Sequence, residues 1–368
     1  MSDFEVIVVG GGPGGATAAT FCAQRGLRVA LFERTRFPRH KVCGDVINPN
    51  CWPVLEKTGV ADKIRALPHH EIEAALFAAT AGGVVNVPLP GGAIAIRRSL
   101  FDQALLEHAR TCGVQVFEDE TVHEISSEKR VLTGTGWYQA RKAIIGADGR
   151  HSLTARSARL VRKSPRGNGH IAFQAHFRAP SSLDSRVQLH LFRRGYCGLV
   201  RVDTEQVNLC VVTDRRGARF HNDCEALFGH TVRQNPHFRD LGIEPVPLEP
   251  LQSAYPLRRS MNIPARNGVF LVGDALRVME PFTGQGILFA LRTAELVAEA
   301  IGGCPQSEGN YATRVKTLYR RRGRTNEWLR CVMYHEGAAR VVIPLVQRLP
   351  GLASWLADNV LGEERRFR

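Results

Sequence analysis

The sequence lacks three features by which several protein classes are recognised. It has no stretch of about 18 uncharged apolar residues, so we expect no membrane-spanning helix. Its nine cysteines are odd in number, scattered and never arranged as CxxC, which argues against a disulfide scaffold or a zinc ribbon and predicts no metal site. It has no low-complexity tract, and its 44% hydrophobic and 23% charged residues are ordinary for a folded globular protein.

The start of the sequence also lacks the pattern of a signal peptide. Met1 leads straight into the strand-like segment Phe4–Val9, without a basic start, a long apolar core or a small-residue cleavage site. Together with the unpaired cysteines, this predicts a cytoplasmic protein, and attachment to a membrane surface stays open as an alternative. At roughly 150 residues per domain, the length of 368 residues fits about two domains.

The charge is strongly positive but spread along the chain. The 49 basic and 35 acidic residues give a net charge of +14. Residues 301–368 hold 12 basic and 6 acidic residues, and the remaining excess is distributed, which argues against a nucleic-acid partner. One local cluster of basic residues lies on a predicted helix. It is either a solvated helix face or a docking patch for an acidic partner or an anionic membrane. This basic cluster consists of Arg314, Lys316, Arg320, Arg321, Arg322, Arg324 and Arg330, with Trp328 nearby.

A glycine-rich loop between a predicted strand and a predicted helix is the first motif that indicates a ligand-binding site. The apolar run Phe4–Val9 is followed by glycines and then by a predicted helix over residues 16–25. Such glycines permit a tight turn, a close backbone approach to phosphate, and close packing of the helix on the strand. A second strand, 27–32, ends at Glu33, whose carboxylate can accept hydrogen bonds from a ribose. The pattern predicts a dinucleotide site and leaves NAD and FAD open; its loop residues are Gly10, Gly12, Pro13, Gly14 and Gly15.

Two later segments favour FAD. Residues 143–156 form an apolar strand that breaks at Gly146–Gly149, and residues 268–288 form another that breaks at Gly273 and Asp274. With the first loop, these segments resemble the fingerprints of the FAD-dependent hydroxylase superfamily of the p-hydroxybenzoate hydroxylase type. The resemblance implies an α/β fold with a Rossmann-like FAD-binding domain of the glutathione reductase type.

The resemblance also implies roles for individual residues. Glu33, followed by Arg34, holds the adenosine ribose, and Arg98 reaches the phosphate and ribose region. Asp148 and Gly149 lie near the pyrophosphate, while Asp274, after Gly273, binds the ribityl chain. A helix predicted from about Gln285 directs its N-terminus at the edge of the flavin that becomes negative on reduction, where a partial positive charge stabilises it. The turn before that helix contributes Pro281, Gly284, Gln285, Gly286 and Ile287.

The loop Lys41-Val-Cys43-Gly44-Asp45 resembles that of the geranylgeranyl reductase family and its relatives, which include flavin-dependent halogenases and small bacterial flavin monooxygenases. This resemblance implies that Cys43 and Gly44 lie against the flavin ring, although Cys43 can also be a small buried apolar residue. The chain departs from the family's other motifs. Residues 195–203 lack the Trp and Pro of prenyl reductases, the isolated tryptophans do not form the W-x-W-x-I-P motif of halogenases, and the usual hydroxylase His after Ala275 is missing.

The pattern predicts interleaved domains. Residues 1–50, 91–155 and 266–303 are assigned to the FAD-binding domain, and 51–90 and 156–265 to a substrate-binding domain with an antiparallel sheet. That sheet is predicted from four alternating segments, 171–178, 187–192, 197–202 and 207–213. A C-terminal helical segment, 304–368, is expected to be interrupted at Pro344 and Pro350, with apolar faces at 341–346 and 352–361.

The leading functional prediction is an FAD-dependent monooxygenase. Reduced flavin is expected to react with O2 to give a C4a-hydroperoxide that hydroxylates an aromatic, polyketide-like, or carrier- or protein-borne substrate. Cys43 and Tyr196 are the catalytic candidates, and His190 and Arg201 are further candidates for substrate contact. The alternatives are a reductase of isoprenoid C=C bonds, as the Lys41–Asp45 loop implies, and a basic flavin-containing adaptor. Since no second glycine fingerprint of the NAD(P)H type is present, the electrons are expected from transiently bound NAD(P)H or from an electron-donor protein.

Overall fold

The computed structural model describes residues 3–79, 83–89, 91–162, 169–192, 195–214, 246–303, 307–349 and 351. These residues form two large β-sheets, a small three-stranded sheet and helices that cover them. The mixed α/β fold agrees with the predicted fold class, a Rossmann-like FAD-binding unit beside a mainly antiparallel sheet.

The first sheet is built on parallel strands. Its central strand, Asp3–Val9, pairs in parallel with Val29–Phe32 on one side and with Gly136–Gly146 on the other. Val6, Ile7 and Val8 are completely buried, because both faces of such a parallel sheet are covered and neither is solvated. In chain order its strands are Asp3–Val9, Val29–Phe32, Gln115–Phe117, Glu124–Ile125, Arg130–Thr133, Gly136–Gly146, Ala265–Arg266 and Val269–Leu271.

The second sheet is antiparallel except where Arg186–Phe192 runs parallel to Ala74–Ala79. All four predicted segments are strands, with ends within two residues of the prediction. In spatial order the strands are Gln252–Ala254, His170–Arg178, Gln206–Asp214, Gly195–Arg201, Arg186–Phe192, Ala74–Ala79 and Gly83–Pro88. The small sheet consists of Val46–Ile47, Ile94–Ala95 and His70–Glu71.

The helices pack mainly against the first sheet. Helix Pro13–Ala23 is buried along nearly its whole length, between the sheet and helix Gly286–Gly302. The α-helices are Pro13–Ala23, Trp52–Thr58, Ala61–Arg65, Arg98–Thr111, Leu153–Ser157, Gly273–Leu276, Gly286–Gly302, Ser307–Tyr334 and Glu336–Arg348, and Pro49–Cys51 and Pro281–Thr283 are short 3-10 helices. Within the described ranges, none of these helices is both long and apolar enough to cross a bilayer.

The predicted interruption at Pro344 is wrong, because helix Glu336–Arg348 runs through this residue. A proline inside a helix removes one backbone hydrogen bond. Here Ala339, Ile343 and Val346, on either side of Pro344, are buried in the core on the second sheet, and this packing outweighs the lost bond. Pro350 and the predicted apolar face at 352–361 lie outside the described residues.

Candidate functional site

The glycine loop and the segment after strand Gly136–Gly146 are in direct contact. Gly10 has a φ of +102°, and a Cβ added to it would lie 2.5 Å from the carbonyl oxygen of Ala147. A Cβ on Gly15 would lie only 1.8 Å from the carbonyl oxygen of Gly10, which accounts for glycine at the point where helix and strand pack. The N-terminus of helix Pro13–Ala23 therefore opens beside both fingerprint loops, where its free N–H groups can receive a phosphate.

Glu33 connects the end of its strand to the glycine loop. Its side chain is almost fully buried, and one carboxylate oxygen accepts a hydrogen bond of 2.7 Å from the backbone N–H of Gly11. The other oxygen accepts one of 2.8 Å from the Thr35 hydroxyl. The carboxylate also borders the central cavity, as a ribose-binding residue requires.

Asp148 carries an unused hydrogen-bonding atom beside the same loops. Its Oδ2 accepts hydrogen bonds from the backbone N–H and the hydroxyl of Thr154, at 2.9 and 3.0 Å. Its Oδ1 is buried and has no hydrogen-bond partner among the described residues. Buried polar atoms are normally satisfied, so this oxygen fits a ligand or an ordered water.

Basic side chains surround the region expected to hold the pyrophosphate. Burial, followed by the charge of Arg150, lowers the pKa of Lys41 to about 8. Arg150 lies 3.8 Å from the carboxylate of Asp274, and Arg98 donates two hydrogen bonds of 2.7 Å to the buried Asp102. Cations held this closely favour an anionic ligand.

Sequence reasoning did not single out three charged residues of this region: Arg39, Asp102 and Arg150. Arg39 lies 3.4 Å from Asp102, and its guanidinium is 3.5 Å from the Cβ position of Gly12. Arg39 belongs to the 36–45 segment quoted for its resemblance, so its position next to the Lys41–Asp45 loop could have marked it. Asp102 lies four residues after Arg98, one helical turn away, and that spacing is also visible in the sequence.

The turn before helix Gly286–Gly302 leaves open space. Gly284 has a φ of +60°, which requires the left-handed conformation that glycine adopts most easily. A Cβ added to Gly286 or Gly44 would meet no atom within 4 Å, and both residues border the cavity. These two glycines therefore leave room for a ligand and not for protein packing.

A single cavity of about 1200 Å³ joins these parts. It exceeds the roughly 300–1,000 Å³ of a typical small-molecule site, so a dinucleotide and a substrate can share it. Two predicted cofactor residues do not border it: Gly15, which packs the helix on the strand, and Gln285, which is fully buried below the turn. The predicted residues that border it are Gly10, Gly12, Pro13, Gly14, Glu33, Arg34, Lys41, Cys43, Gly44, Arg98, Asp148, Gly149, Tyr196, Gly273, Asp274, Pro281, Gly284, Gly286 and Ile287.

Cys43 borders the cavity as a protonated thiol. Burial raises its pKa above the usual value, which is the opposite of what an activated nucleophile needs. Its backbone carbonyl accepts hydrogen bonds from the side chains of Asn208 (2.8 Å) and Cys210 (3.2 Å) on the second sheet. The geometry thus supports a role for Cys43 in shaping the cavity and gives no support to nucleophilic catalysis.

The end of the cavity toward the second sheet is apolar with a small polar patch. Tyr196 is buried, and its ring lies 6.3 Å from that of Phe282 and 6.1 Å from that of Tyr334. The Tyr196 hydroxyl has no hydrogen-bond partner among the described residues, whereas the Tyr334 hydroxyl donates to Glu280 at 2.9 Å. Tyr334 and Glu280 were not predicted; Glu280 directly precedes the PFTGQG turn.

The two further candidates for substrate contact lie away from the cavity. His190 alternates with Leu189 and Leu191, which border the cavity, so its ring points to the opposite face, where Nε2 lies 3.0 Å from Gln188. The Arg201 guanidinium donates to backbone carbonyls, including that of Pro180 at 2.6 Å. Neither side chain borders the cavity, so the structure gives no support to substrate contact by His190 or Arg201.

Other predicted features can be placed only in part. Arg314 of the basic cluster pairs with Glu299 at 2.5 Å, while the side chains of residues 321–328 lie outside what the structure describes. Within the described ranges, no group of three or more His, Cys, Asp or Glu residues is arranged to hold a metal ion.

Comparison with known proteins agrees with this geometry. The model of the FAD binding domain family matches residues 3–304. The chain is 24% identical to conditioned medium factor receptor 1 of Dictyostelium discoideum, over 82% of this chain but only 63% of that protein, less than two thirds of its length. It is also 24% identical to a menaquinone reductase of Mycolicibacterium smegmatis, over 86% of this chain and 81% of the relative.

Solved structures show the same fold. A flavin-dependent brominase, Bmp2, superposes with a TM-score of 0.83 at 17% identity, covering 98% of this chain and 94% of that one. PqsL, a probable FAD-dependent monooxygenase of Pseudomonas aeruginosa, gives 0.78 at 17% identity, covering 92% and 98%. The comparisons do not show the geranylgeranyl reductase branch that the Lys41–Asp45 loop predicts. The chain belongs to the FAD binding domain family and is an FAD-dependent oxidoreductase.

Proposed function

We propose that this protein is an FAD-dependent monooxygenase that hydroxylates a largely apolar substrate, either a free aromatic or polyketide-like molecule or one borne on a carrier or partner protein. The observation that carries this proposal is the single cavity that runs from the glycine loops to an apolar chamber under the second sheet. One oxygen atom of O2 enters the product, and the other leaves as water. When bound, FAD supplies the two electrons and the activation of O2.

The residues near the fingerprint loops hold the cofactor in this proposal. Lys41, Arg98 and Arg150 offset the negative charge of the diphosphate, with the N-terminus of helix Pro13–Ala23. The N-terminus of helix Gly286–Gly302 offers a partial positive charge at the ring edge that becomes negative on reduction.

The chamber excludes water and orients the substrate. Helix Glu336–Arg348 packs over the second sheet, and buried aliphatic side chains of both line the cavity. An enclosed apolar space protects a reactive oxygen species from water and favours a substrate with a large apolar surface. The hydroxyl of Tyr196 offers one hydrogen bond for a polar group of the substrate.

The source of electrons is part of the proposal. In this proposal all three glycine fingerprints of the sequence serve the FAD site, and no further fingerprint of the NAD(P)H type is present. We therefore expect NAD(P)H to bind transiently or an electron-donor protein to reduce the flavin. A titration of the oxidised protein with NADH and NADPH under anaerobic conditions tests the first route, because bleaching of the flavin absorbance reports reduction.

Rapid mixing with O2 tests the reaction type. The anaerobically reduced protein is mixed with O2 in the presence of 2-naphthol as an aromatic probe. We expect a transient absorbance that differs from both oxidised and reduced flavin, and one ¹⁸O atom from ¹⁸O2 in the product. Direct reoxidation without the transient, together with product formation that needs no O2, would refute a monooxygenase.

Halogenation is a separate outcome of the same experiment. The brominase shares the fold, whereas the isolated tryptophans of this chain argue against a halogenase. The reaction is therefore repeated with added bromide and chloride. A halogenated naphthol in place of a hydroxylated one would overturn the proposal in favour of halogen transfer.

A further inference from the structure

A buried ionic network lies behind the Cys43–Asp45 segment. Nε2 of His176 lies 2.7 Å from the carboxylate of Asp45, and Nδ1 contacts the carboxylate of Glu249. The second oxygen of Glu249 accepts a hydrogen bond of 3.0 Å from Arg97. Asp45 and His176 are almost completely buried. Because both ring nitrogens face carboxylates, the imidazole makes both contacts as a donor only when it is protonated.

The charges of this network balance. Burial alone would lower the pKa of His176, but the hydrogen bonds and charges of Asp45 and Glu249 outweigh it and raise the pKa to about 9. At neutral pH, two carboxylates therefore face one imidazolium and the guanidinium of Arg97. The partly exposed His40 also lies 3.1 Å from Glu249. If only the His176 imidazolium lost its charge, the buried network of Asp45, Glu249 and Arg97 would have a net negative charge.

The same contacts fasten the segment to the second sheet. Asp45 has a φ of +56°, and its carboxylate also accepts a hydrogen bond of 2.7 Å from Asn208. Asn208 donates to the carbonyl of Cys43 as well, at 2.8 Å. His176 and Asn208 lie on neighbouring strands of that sheet. Side chains of the second sheet therefore fix the position of a segment whose residues Cys43 and Gly44 border the cofactor cavity.

We propose that His176 is a positioning residue for the flavin: it holds the Cys43–Asp45 segment in place and keeps the buried charges balanced beside the cofactor. The inference rests on FAD binding and on the location of this segment near the flavin ring, and not on hydroxylation. A net negative charge at this place disfavours reduced flavin, which is itself negative. Removing the imidazolium therefore lowers the midpoint potential.

The midpoint potential of the bound flavin tests the proposal in the purified holoprotein at pH 7.5. We expect His176→Gln to shift the equilibrium about tenfold toward oxidised flavin, about 30 mV for a two-electron couple. The double variant His176→Gln/Asp45→Asn removes one charge of each sign, and its potential returns to that of the wild type. The matched control is His190→Gln, since His190 is equally buried on the same sheet but faces away from the cavity.

The outcomes separate a charge effect from a general structural effect. A wild-type potential in His176→Gln, or an equal shift in His190→Gln, would overturn the proposal. If His176→Gln does not fold, the double variant decides, because a tenfold displacement of its equilibrium from that of the wild type contradicts charge balance. The potential is measured without O2, so a failure of the proposed monooxygenase reaction leaves this result unaffected.

Discussion

Replacing Gly286 by alanine should affect the protein and its cofactor in opposite directions. Gly286 is the first residue of helix Gly286–Gly302, has no left-handed conformation, and its added Cβ would meet no atom within 4 Å. Without cofactor, the substitution only reduces the freedom of the unfolded chain and favours the helix. We expect the apoprotein to gain about 0.5–1 kcal/mol in unfolding free energy.

With FAD, the added methyl group occupies cavity space at the helix N-terminus. An extra methyl group forced against a closely fitting partner costs about 1–3 kcal/mol, as in overpacked cores. Applied to binding, this corresponds to an increase of about 5- to 150-fold in the Kd for FAD. The expected result is a more stable apoprotein that binds its cofactor more weakly.

Two measurements and one control variant test this expectation. Urea denaturation of the apoprotein gives the unfolding free energy, and quenching of FAD fluorescence gives the Kd. Gly309→Ala is the control, because Gly309 also lies in the first turn of a helix and also has open space around it, but does not border the cavity. It should stabilise the apoprotein and leave the Kd unchanged. A wild-type Kd for Gly286→Ala would refute the close approach of FAD to this turn.

Three further predictions concern packing, pH and hydrogen bonding. Gly15→Ala places a Cβ 1.8 Å from a backbone oxygen and should lower the unfolding free energy, measured by urea denaturation, by more than about 3 kcal/mol. In Gly14→Ala the nearest backbone oxygen is 3.4 Å from the added Cβ, and the loss should stay under about 1 kcal/mol. The raised pKa of His176 contributes stability that is fully present below its ordinary value of 6.5 and is lost as the pH rises through about 9. At 1.36 kcal/mol per pKa unit, the free energy of unfolding should fall by about 3 kcal/mol between pH 6 and pH 10. The variant His176→Gln should lack this fall. Tyr334→Phe removes a donor to Glu280 and should lower the unfolding free energy, measured by calorimetry, by about 1.5–3 kcal/mol. Tyr196→Phe removes a hydroxyl without a described partner and should change it by less than about 0.5 kcal/mol. Equal losses in both variants would contradict this assignment of partners.

The local parts of the fold were predictable from the sequence. The strand, glycine loop and helix at 4–25 are determined by neighbouring residues, because the apolar run, the turn and the helix start each have a local physical cause. The four alternating segments of the second sheet were recognised for the same reason, since period-two alternation marks a half-buried strand. The family resemblance then connected the distant fingerprint segments.

The contacts between distant segments were not predictable in this way. His176 meets Asp45 across 131 positions and Glu249 across 73, and no local pattern relates these three residues. Strand parity could have shown that His190 and Leu189 face opposite sides, but not which side holds the cofactor. The continuity of helix Glu336–Arg348 through Pro344 depends on packing against the second sheet, which the local sequence does not reveal.

The pairing of helix Pro13–Ala23 with helix Gly286–Gly302 has a consequence for biosynthesis. The first helix is translated before the second sheet, whereas the helix that covers it is translated after the whole of that sheet. Until residue 302 has emerged, the nascent chain has an apolar helix without its packing partner and lacks the Gly273–Gly286 side of the central cavity. Cofactor insertion is therefore a late event, and chains that terminate early expose an uncovered apolar surface to chaperones and proteases.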